Sequence, residues 1–342
     1  LKLAVRESLE PLGVGAGASR HISGTSRAHT DAEDRLAAFV RLPSALLFGS
    51  GYAANVGAIQ ALAGPGDTVF SDELNHASII DGCQLSRARV LVYPHLDCAA
   101  LARLLKEHRA SARAALVVTE SLFSMDGDAP PLSEIAGLCE RHGAGLIVDE
   151  AHALGVLGNG GRGLCDASGV RPHVLVGTLG KAFGLSGAFV AGDAKTIRLV
   201  QNRARSFVFS TAPSPAIAAA IPTAVDLVES ANDARARLDG HARRIRSALR
   251  DVGYRVGAGV GPIIPIHVGE ARAVMALSSA LLERGVFVHG VRPPTVAPGT
   301  SRLRVTPMSS HTTEHIDFVI QSFKHLYQTY LGIVSDTQSA GR

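Results

Sequence analysis

Apolar residues recur along this chain as short continuous runs alternating with stripes at helical spacing. Residues 30–40 set Ala32, Leu36, Phe39 and Val40 on one helical face. Residues 45–48 are an apolar strand, and a glycine turn after them opens a helical run ending at Leu62. Further strands are predicted over 67–70, 114–120 and 145–148, and Pro130-Pro131 leads into a helix over 133–142 with Ser133 as its cap. A strand over 188–191 precedes a long helical stretch from Pro215 toward Leu249. Strands over 263–268, 286–288 and 302–305 then alternate with helices over 271–284 and 312–330, the last capped by Thr312. This alternation, without an internal repeat, predicts an α/β fold. A large domain would span 1–228 and a smaller α+β domain 229–342, the boundary lying inside the long helical stretch near Val228.

The candidate chemistry gathers where strands end. Gly145-Leu146-Ile147-Val148 runs into Asp149-Glu150-Ala151-His152, an apolar strand closed by an acid, with a histidine shortly after. Ligands of open α/β sheets bind at the carboxyl ends of strands, which puts Asp149 and His152 at a site mouth. Downstream, Val176-Gly177-Thr178-Leu179-Gly180-Lys181-Ala182-Phe183-Gly184 holds a lysine in a small-residue, mostly apolar loop. An amine kept there is open to desolvation, which makes it a nucleophile toward a carbonyl; the plain alternative is a lysine snorkelling to solvent. Pyridoxal phosphate needs a lysine, an acid for its ring nitrogen, and donors for its phenolate and phosphate oxygens. Lys181 suits the aldehyde, Asp149 the ring nitrogen and His152 the phenolate.

Other landmarks leave two readings each. Gly49-Ser50-Gly51-Tyr52, between a strand and a helix, is either a phosphate cradle or a tight turn. His76 is either an aromatic plate for a ring or a capping residue. Ser210-Thr211 offers two hydroxyls to a phosphate or simply makes a turn, and the small-residue stretch 13–24 either approaches a ligand or another subunit closely or serves as a linker.

Composition narrows the class. The 342 residues are 46% hydrophobic and 19% charged, enough for a large core. Net charge is +4, but the basic residues are scattered and aromatics are only 5%, which argues against a nucleic-acid partner. The four cysteines form no C-x-x-C pair, so reduced thiols in a cytoplasmic protein are expected. No apolar run reaches membrane-spanning length, and no membrane partner is expected. The chain opens at Leu1, which reads as a truncated N-terminus.

Six strings then converge on one family: Phe48-Gly49-Ser50-Gly51-Tyr52-Ala53-Ala54-Asn55, Asn75-His76-Ala77-Ser78-Ile79, Glu120 with Phe123-Ser124-Met125-Asp126-Gly127-Asp128, Val148-Asp149-Glu150-Ala151-His152, Thr178-Leu179-Gly180-Lys181, and the stretch 292–305. They resemble the α-oxoamine synthases, which are fold-type I, aspartate-aminotransferase-like pyridoxal-phosphate enzymes. The resemblance covers nearly the whole chain and implies a large α/β domain with a mostly parallel sheet. Lys181 would form the Schiff base and move the α-proton, with Asp149 on the ring nitrogen, His152 on the phenolate, and His76 stacked on the ring and near substrate. Gly51, Tyr52 and Thr178 would hold the phosphate, with Ser210 and Thr211 reaching it from the partner of a homodimer that shares its active sites. Ser124 would meet the phenolate side, and Thr295 and Arg304 the substrate, Arg304 on a carboxylate.

The stretch 292–305 favours, within the family, the branch that condenses L-alanine with a pimeloyl thioester, carried on coenzyme A or acyl carrier protein. Carbon dioxide is lost and 8-amino-7-oxononanoate, a biotin precursor, is formed. The alternatives are a glycine-using sister such as 2-amino-3-ketobutyrate CoA ligase, or a catalytically silent subunit. Family members also carry several dozen further N-terminal residues, with an arginine and an asparagine that bear on substrate and interface.

Three other motifs point elsewhere. Asp149-Glu150-Ala151-His152 also fits a helicase acidic motif, but no phosphate-binding G-x-x-x-x-G-K-[ST] loop precedes it. Residues 158–163 spell G-x-G-x-x-G without a clear dinucleotide-binding helix after them, which favours a flexible loop. His311-Thr312-Thr313-Glu314-His315 spells a zinc-hydrolase pattern at a helix start, with no third ligand in view.

Overall fold

A computed structural model describes residues 1–339, with side chains through residue 332. The chain divides into two units: Leu1–Phe123 with Ala129–Ala231, and Ser124–Asp128 with the chain from Asn232 onward.

The described residues of the first unit form a seven-stranded sheet: β1 (Ser44–Phe48), β2 (Thr68–Asp72), β3 (Arg89–Tyr93), β4 (Ala115–Glu120), β5 (Gly145–Asp149), β6 (Val174–Thr178) and β7 (Ala188–Gly192), in the order β1-β7-β6-β5-β4-β2-β3. β7 runs antiparallel to both neighbours; the other pairs are parallel. Helices cover both faces, which is why the central strands read as unbroken apolar runs rather than alternating ones. Leu146 and Val148 pack into one layer with Leu36 and Phe39 of α1 (Arg27–Phe39) and Ile135 of α2 (Leu132–His142). Ile147, between them in sequence, packs into the opposite layer with Ile59 of α3 and Ile79 of α4, where α3 is Gly51–Leu62 and α4 is Ala77–Ser86.

Tertiary pairing changes several sequence expectations. β3 and the helix Cys98–His108 fall where no element was read, β3 being a short edge strand whose Val92 is exposed. The lysine stretch begins as a strand: Gly177 belongs to β6 through its pairing with Phe189 of β7, and it is glycine because a side chain there would meet the Phe189 ring. Ser133 does not cap α2; Pro131 is its N-cap, and the Ser133 hydroxyl donates to Ser168 O at 3.2 Å. Stretch 13–24 is tied down, since buried Arg20 makes a bidentate pair with Glu33 at 2.7 and 3.0 Å and Ser19 bridges Thr211. The long helical stretch is two helices, Pro215–Ser230 and Asn232–Val252, and the units part between them.

The described residues of the second unit form a three-stranded antiparallel sheet, β8 (Ile264–Gly269), β10 (Ser301–Val305) and β9 (His289–Val291), in that order. The strand expected over 286–288 is displaced to His289–Val291; Val286 and Val288 are apolar because they pack into the core, not because they pair. Ile245, Ile264, Leu277, Leu303 and Phe323 share that core. Segment 124–128 joins this unit through the Val260 N–H to Gly127 O bond and through Arg302 paired with Asp126. Gly127 has φ 65°, and a side chain there would crowd Ile263 at 2.7 Å, so glycine is required. Among the described residues no helix is long and apolar enough to cross a membrane.

Candidate functional site

Four parallel strands and two helix starts converge on one end of the first unit. β5 delivers Asp149 there because its apolar run must stop where the sheet opens to polar surroundings. Asp149 is 6% exposed, and both its oxygens are held: Oδ1 accepts the Ala151 N–H at 2.8 Å and Oδ2 accepts Asn55 Nδ2–H at 2.7 Å. Its sequence neighbour Glu150 turns away from this end. Fully buried, it accepts from the Ser121 hydroxyl at 2.9 Å and from the N–H groups of Leu164 and Cys165 at 3.0 and 2.5 Å. A side chain at Gly163 would collide with that carboxylate, which accounts for the last glycine of the G-x-G-x-x-G run without any dinucleotide.

Lys181 follows β6, and its Nζ lies 3.0 Å from His152 Nε2. Two residues 29 positions apart in sequence are thereby in hydrogen-bond contact. His76 stands at the N-cap of α4, and its Nδ1 accepts the Ser78 N–H at 3.2 Å. Its own N–H donates to Glu120 Oε1 at 2.7 Å. The capping reading of His76 therefore holds, and it fixes the ring rather than excluding a role for it. Burial, and next the charge of Asp149, push the Glu120 carboxyl well above the usual range.

Ser50 caps α3 by accepting the Ala53 N–H at 3.2 Å, so the N–H groups of Gly51 and Tyr52 lie ahead of the first intrahelical bond, Ala54 N to Ser50 O. A Cβ at Gly51 would point at the Thr178 side chain, 3.8 Å away. Its absence keeps space open between this helix end and the end of β6. The Tyr52 ring is half exposed and its hydroxyl donates to Asp81.

The structure thus brings Lys181 to His152, Gly51 to Thr178, and Asp149 to His76 through Asn55 and Ser78. Ser210 and Thr211 sit on a separate exposed stretch, tied through Thr211 and Ala212 to residues 18–19. Ser124, Thr295 and Arg304 belong to the second unit, where Arg304 Nε donates to Ser124 O at 2.6 Å and Thr295 N to Arg292 O at 3.1 Å. Asn55, Ser78 and Glu120 carried no assigned role in the sequence reading. Asn55 and Ser78 carry the bonds between the predicted groups, and Glu120 anchors the His76 main chain. Their signal was present: Asn55 is one helical turn from Gly51, and Ser78 is two residues from His76. His311 and His315 of the zinc-like pattern both cap backbone, accepting the Met308 and Thr312 N–H groups on Nδ1 at 3.2 Å.

The donor set fits pyridoxal phosphate on geometry alone. A carboxylate held by two N–H donors, an amine against an imidazole, and a helix start facing a hydroxyl across a gap that a glycine leaves open are the groups its ring nitrogen, aldehyde and phosphate require.

Comparison with known proteins adds family information. Residues 2–323 match the family model described as aminotransferase class I and II. The 8-amino-7-oxononanoate synthase of Geobacter sulfurreducens is 48% identical over 338 residues, covering 98% of this chain and 86% of that protein. A serine palmitoyltransferase from S. paucimobilis, solved with a bound PLP–myriocin aldimine, superposes with a TM-score of 0.92 at 32% identity, covering 96% of this chain and 83% of that one. An 8-amino-7-oxononanoate synthase from Francisella tularensis superposes with a TM-score of 0.81 at 28% identity, covering 96% and 93%.

Proposed function

The chain belongs to the aminotransferase class I and II family, and within it to the α-oxoamine synthases; from that premise we propose that it condenses L-alanine with a pimeloyl thioester in biotin synthesis. It is a pyridoxal-phosphate-dependent acyltransferase. The observation that carries the finer reading is 48% identity across 98% of the chain to a synthase named for the product, 8-amino-7-oxononanoate.

When bound, pyridoxal phosphate supplies an electron sink for charge developing at the amino-acid α-carbon. The chain supplies the rest. Asp149, pinned by two donors, holds the proton on the ring nitrogen. The Lys181 amine, oriented by His152, takes the α-proton and returns it after carbon dioxide leaves. His152 holds the phenolate side. His76 covers the ring face and excludes water. The Gly51 and Tyr52 N–H groups and Thr178 hold the phosphate. Ser210 and Thr211 reach the phosphate of a partner subunit in a homodimer. Ser124 meets the phenolate side, Thr295 the substrate, and Arg304 the substrate carboxylate through its planar fork. The reaction runs in the cytoplasm, with no nucleic acid or membrane involved.

The test is product identification by mass spectrometry. Purified protein is supplied with pyridoxal phosphate and either alanine or glycine, against pimeloyl thioesters of coenzyme A and of acyl carrier protein. Product from alanine carries the reading and also names the acyl carrier. Product from glycine alone would replace it with the glycine-using sister. No product from a chain that binds the cofactor would leave the silent-subunit alternative.

A further inference from the structure

We propose that Asn55 and Ser78 are positioning residues for this reaction: they form a hydrogen-bonded relay that holds the Asp149 carboxylate and the His76 imidazole in fixed register with each other. The inference rests on the reading that these two groups address the cofactor ring.

The links from Asp149 through Asn55 to Ser78 are buried, the His76 ring at the far end is exposed, and each link has a direction. Asn55 is 1% exposed and Ser78 fully buried. The Asn55 amide nitrogen has two hydrogens; one goes to Asp149 Oδ2 at 2.7 Å and the other to Ser78 Oγ at 2.9 Å. Turning the amide over would set its carbonyl against the carboxylate, so the orientation is decided. Ser78 Oγ, having accepted from Asn55, gives its own hydrogen to His76 Nδ1 at 2.7 Å. Nδ1 also receives the Ser78 N–H at 3.2 Å. A ring nitrogen that accepts a main-chain N–H, a donor that cannot be reversed, carries no hydrogen, so the ring hydrogen of His76 is on Nε2 and the Ser78 hydroxyl is the donor to Nδ1.

The far end closes on the same strand pair. The His76 main-chain N–H donates to Glu120, and Glu120 is the cross-strand partner of Asp149 in the β4–β5 register. The path from Asp149 through Asn55, Ser78 and His76 to Glu120 therefore returns to its starting strands. One atom is sacrificed to it: Asn55 Oδ1 is buried with no hydrogen-bond partner among the described residues. A buried carbonyl left unpaired is unfavourable, and it is tolerated here because both amide hydrogens are in use. Leucine or alanine at this position would avoid that cost and lose both bonds.

The experiment reads the His76 ring nitrogens by NMR in isotope-labelled, cofactor-free protein, the signals being assigned by their loss in His76→Gln. The wild type is expected to show a bare Nδ1 and a protonated Nε2. Asn55→Ala, which leaves Ser78 and His76 in place, shifts the Nδ1 signal. In a Ser78→Ala background the same change produces no further shift, because the relay is already cut. Ser78→Thr, which keeps the hydroxyl, retains the wild-type signal. In the loaded protein Asn55→Ala raises the Kd for pyridoxal phosphate about tenfold, and the double variant binds no more weakly. If Asn55→Ala does not fold, the better-filling Asn55→Leu removes the same two bonds and gives the same Nδ1 shift. A His76 signal indifferent to Asn55, or additive losses in the cycle, overturns the proposal. A wild type that takes up no cofactor removes the reading of the site, yet the cofactor-free NMR cycle still judges the relay independently.

Discussion

Glu120 and Asp149 are partners on adjacent parallel strands, 3% and 6% exposed, and only Asp149 has donors on both oxygens. Two carboxylates so placed do not both ionise easily; burial and the Asp149 charge keep the proton on Glu120. The sign of the consequence is fixed. The folded chain holds a proton that the unfolded chain releases near the ordinary glutamate range, so this contribution to stability is present at acid pH and declines as pH rises toward the folded value. Glu120→Gln, isosteric and neutral, should flatten that decline. Urea midpoints measured from mildly acidic to alkaline pH would check it, and equal slopes in both proteins would contradict it.

Lys181 is expected to be the residue that bonds the cofactor. Wild-type protein with pyridoxal phosphate should show a visible band that borohydride fixes to the chain, and peptide mapping should find the label on Lys181. Lys181→Ala should lack the band and lose about 10²–10⁴-fold in turnover from missing proton transfer. A labelled peptide from Lys2, Lys106, Lys195 or Lys324 would refute the assignment.

Asp149→Asn keeps shape but not charge. Turnover should fall about 10²–10³-fold, with the visible band retained but moved. Steady-state kinetics beside the spectrum separates this from loss of cofactor, which would point to a holding role only.

The Arg20–Glu33 pair anchors stretch 13–24, and Glu33 Oε1 also accepts the Leu47 N–H at 2.8 Å. Removing either partner strands a buried charge. Glu33→Ala should destabilise the chain by about 3–5 kcal/mol in urea unfolding. An effect near zero would show that water replaces the carboxylate.

His29 is fully buried on α1. Its Nδ1 accepts the Ser26 N–H at 3.1 Å, which leaves Nε2–H to donate to Pro213 O at 2.9 Å. Burial is the main cause that lowers its pKa. The unfolded histidine therefore takes up a proton first, and stability is lost as pH falls from the ordinary histidine range through the folded value. His29→Gln should shrink the acid-side loss in pH-dependent melting curves. A wild-type acid slope that persists in the variant would place its origin elsewhere.

Most predicted strands of the first unit were legible because a strand covered on both faces must be apolar throughout, and Ile147 between Leu146 and Val148 shows that pattern. The end of β5 was legible for the complementary reason, since an acid cannot continue a buried run. β3 and the strand part of the lysine stretch were hidden. Val92 is solvent-exposed at an edge, and Gly177 is a strand residue through its pairing with Phe189, whose ring fills the space a side chain there would take. Ser133 was misread because a hydroxyl after Pro-Pro looks like a cap, whereas Pro131 takes that position.

The sequence by itself determined the chemistry on offer: a lysine, an acid, two histidines and a glycine-opened helix at strand ends, with the spacing of one enzyme family. That much is local, since residue type and strand termination are written in consecutive positions. Only the tertiary structure decided how these groups are tied together. Asp149 and Glu150 face opposite surroundings despite being adjacent, and Asp149 reaches His76 through Asn55 and Ser78, which lie on two other elements. Hydrogen-bond direction depends on which atoms packing brings within reach, and that is set by the sheet order and the helices laid across it, not by any one stretch of sequence.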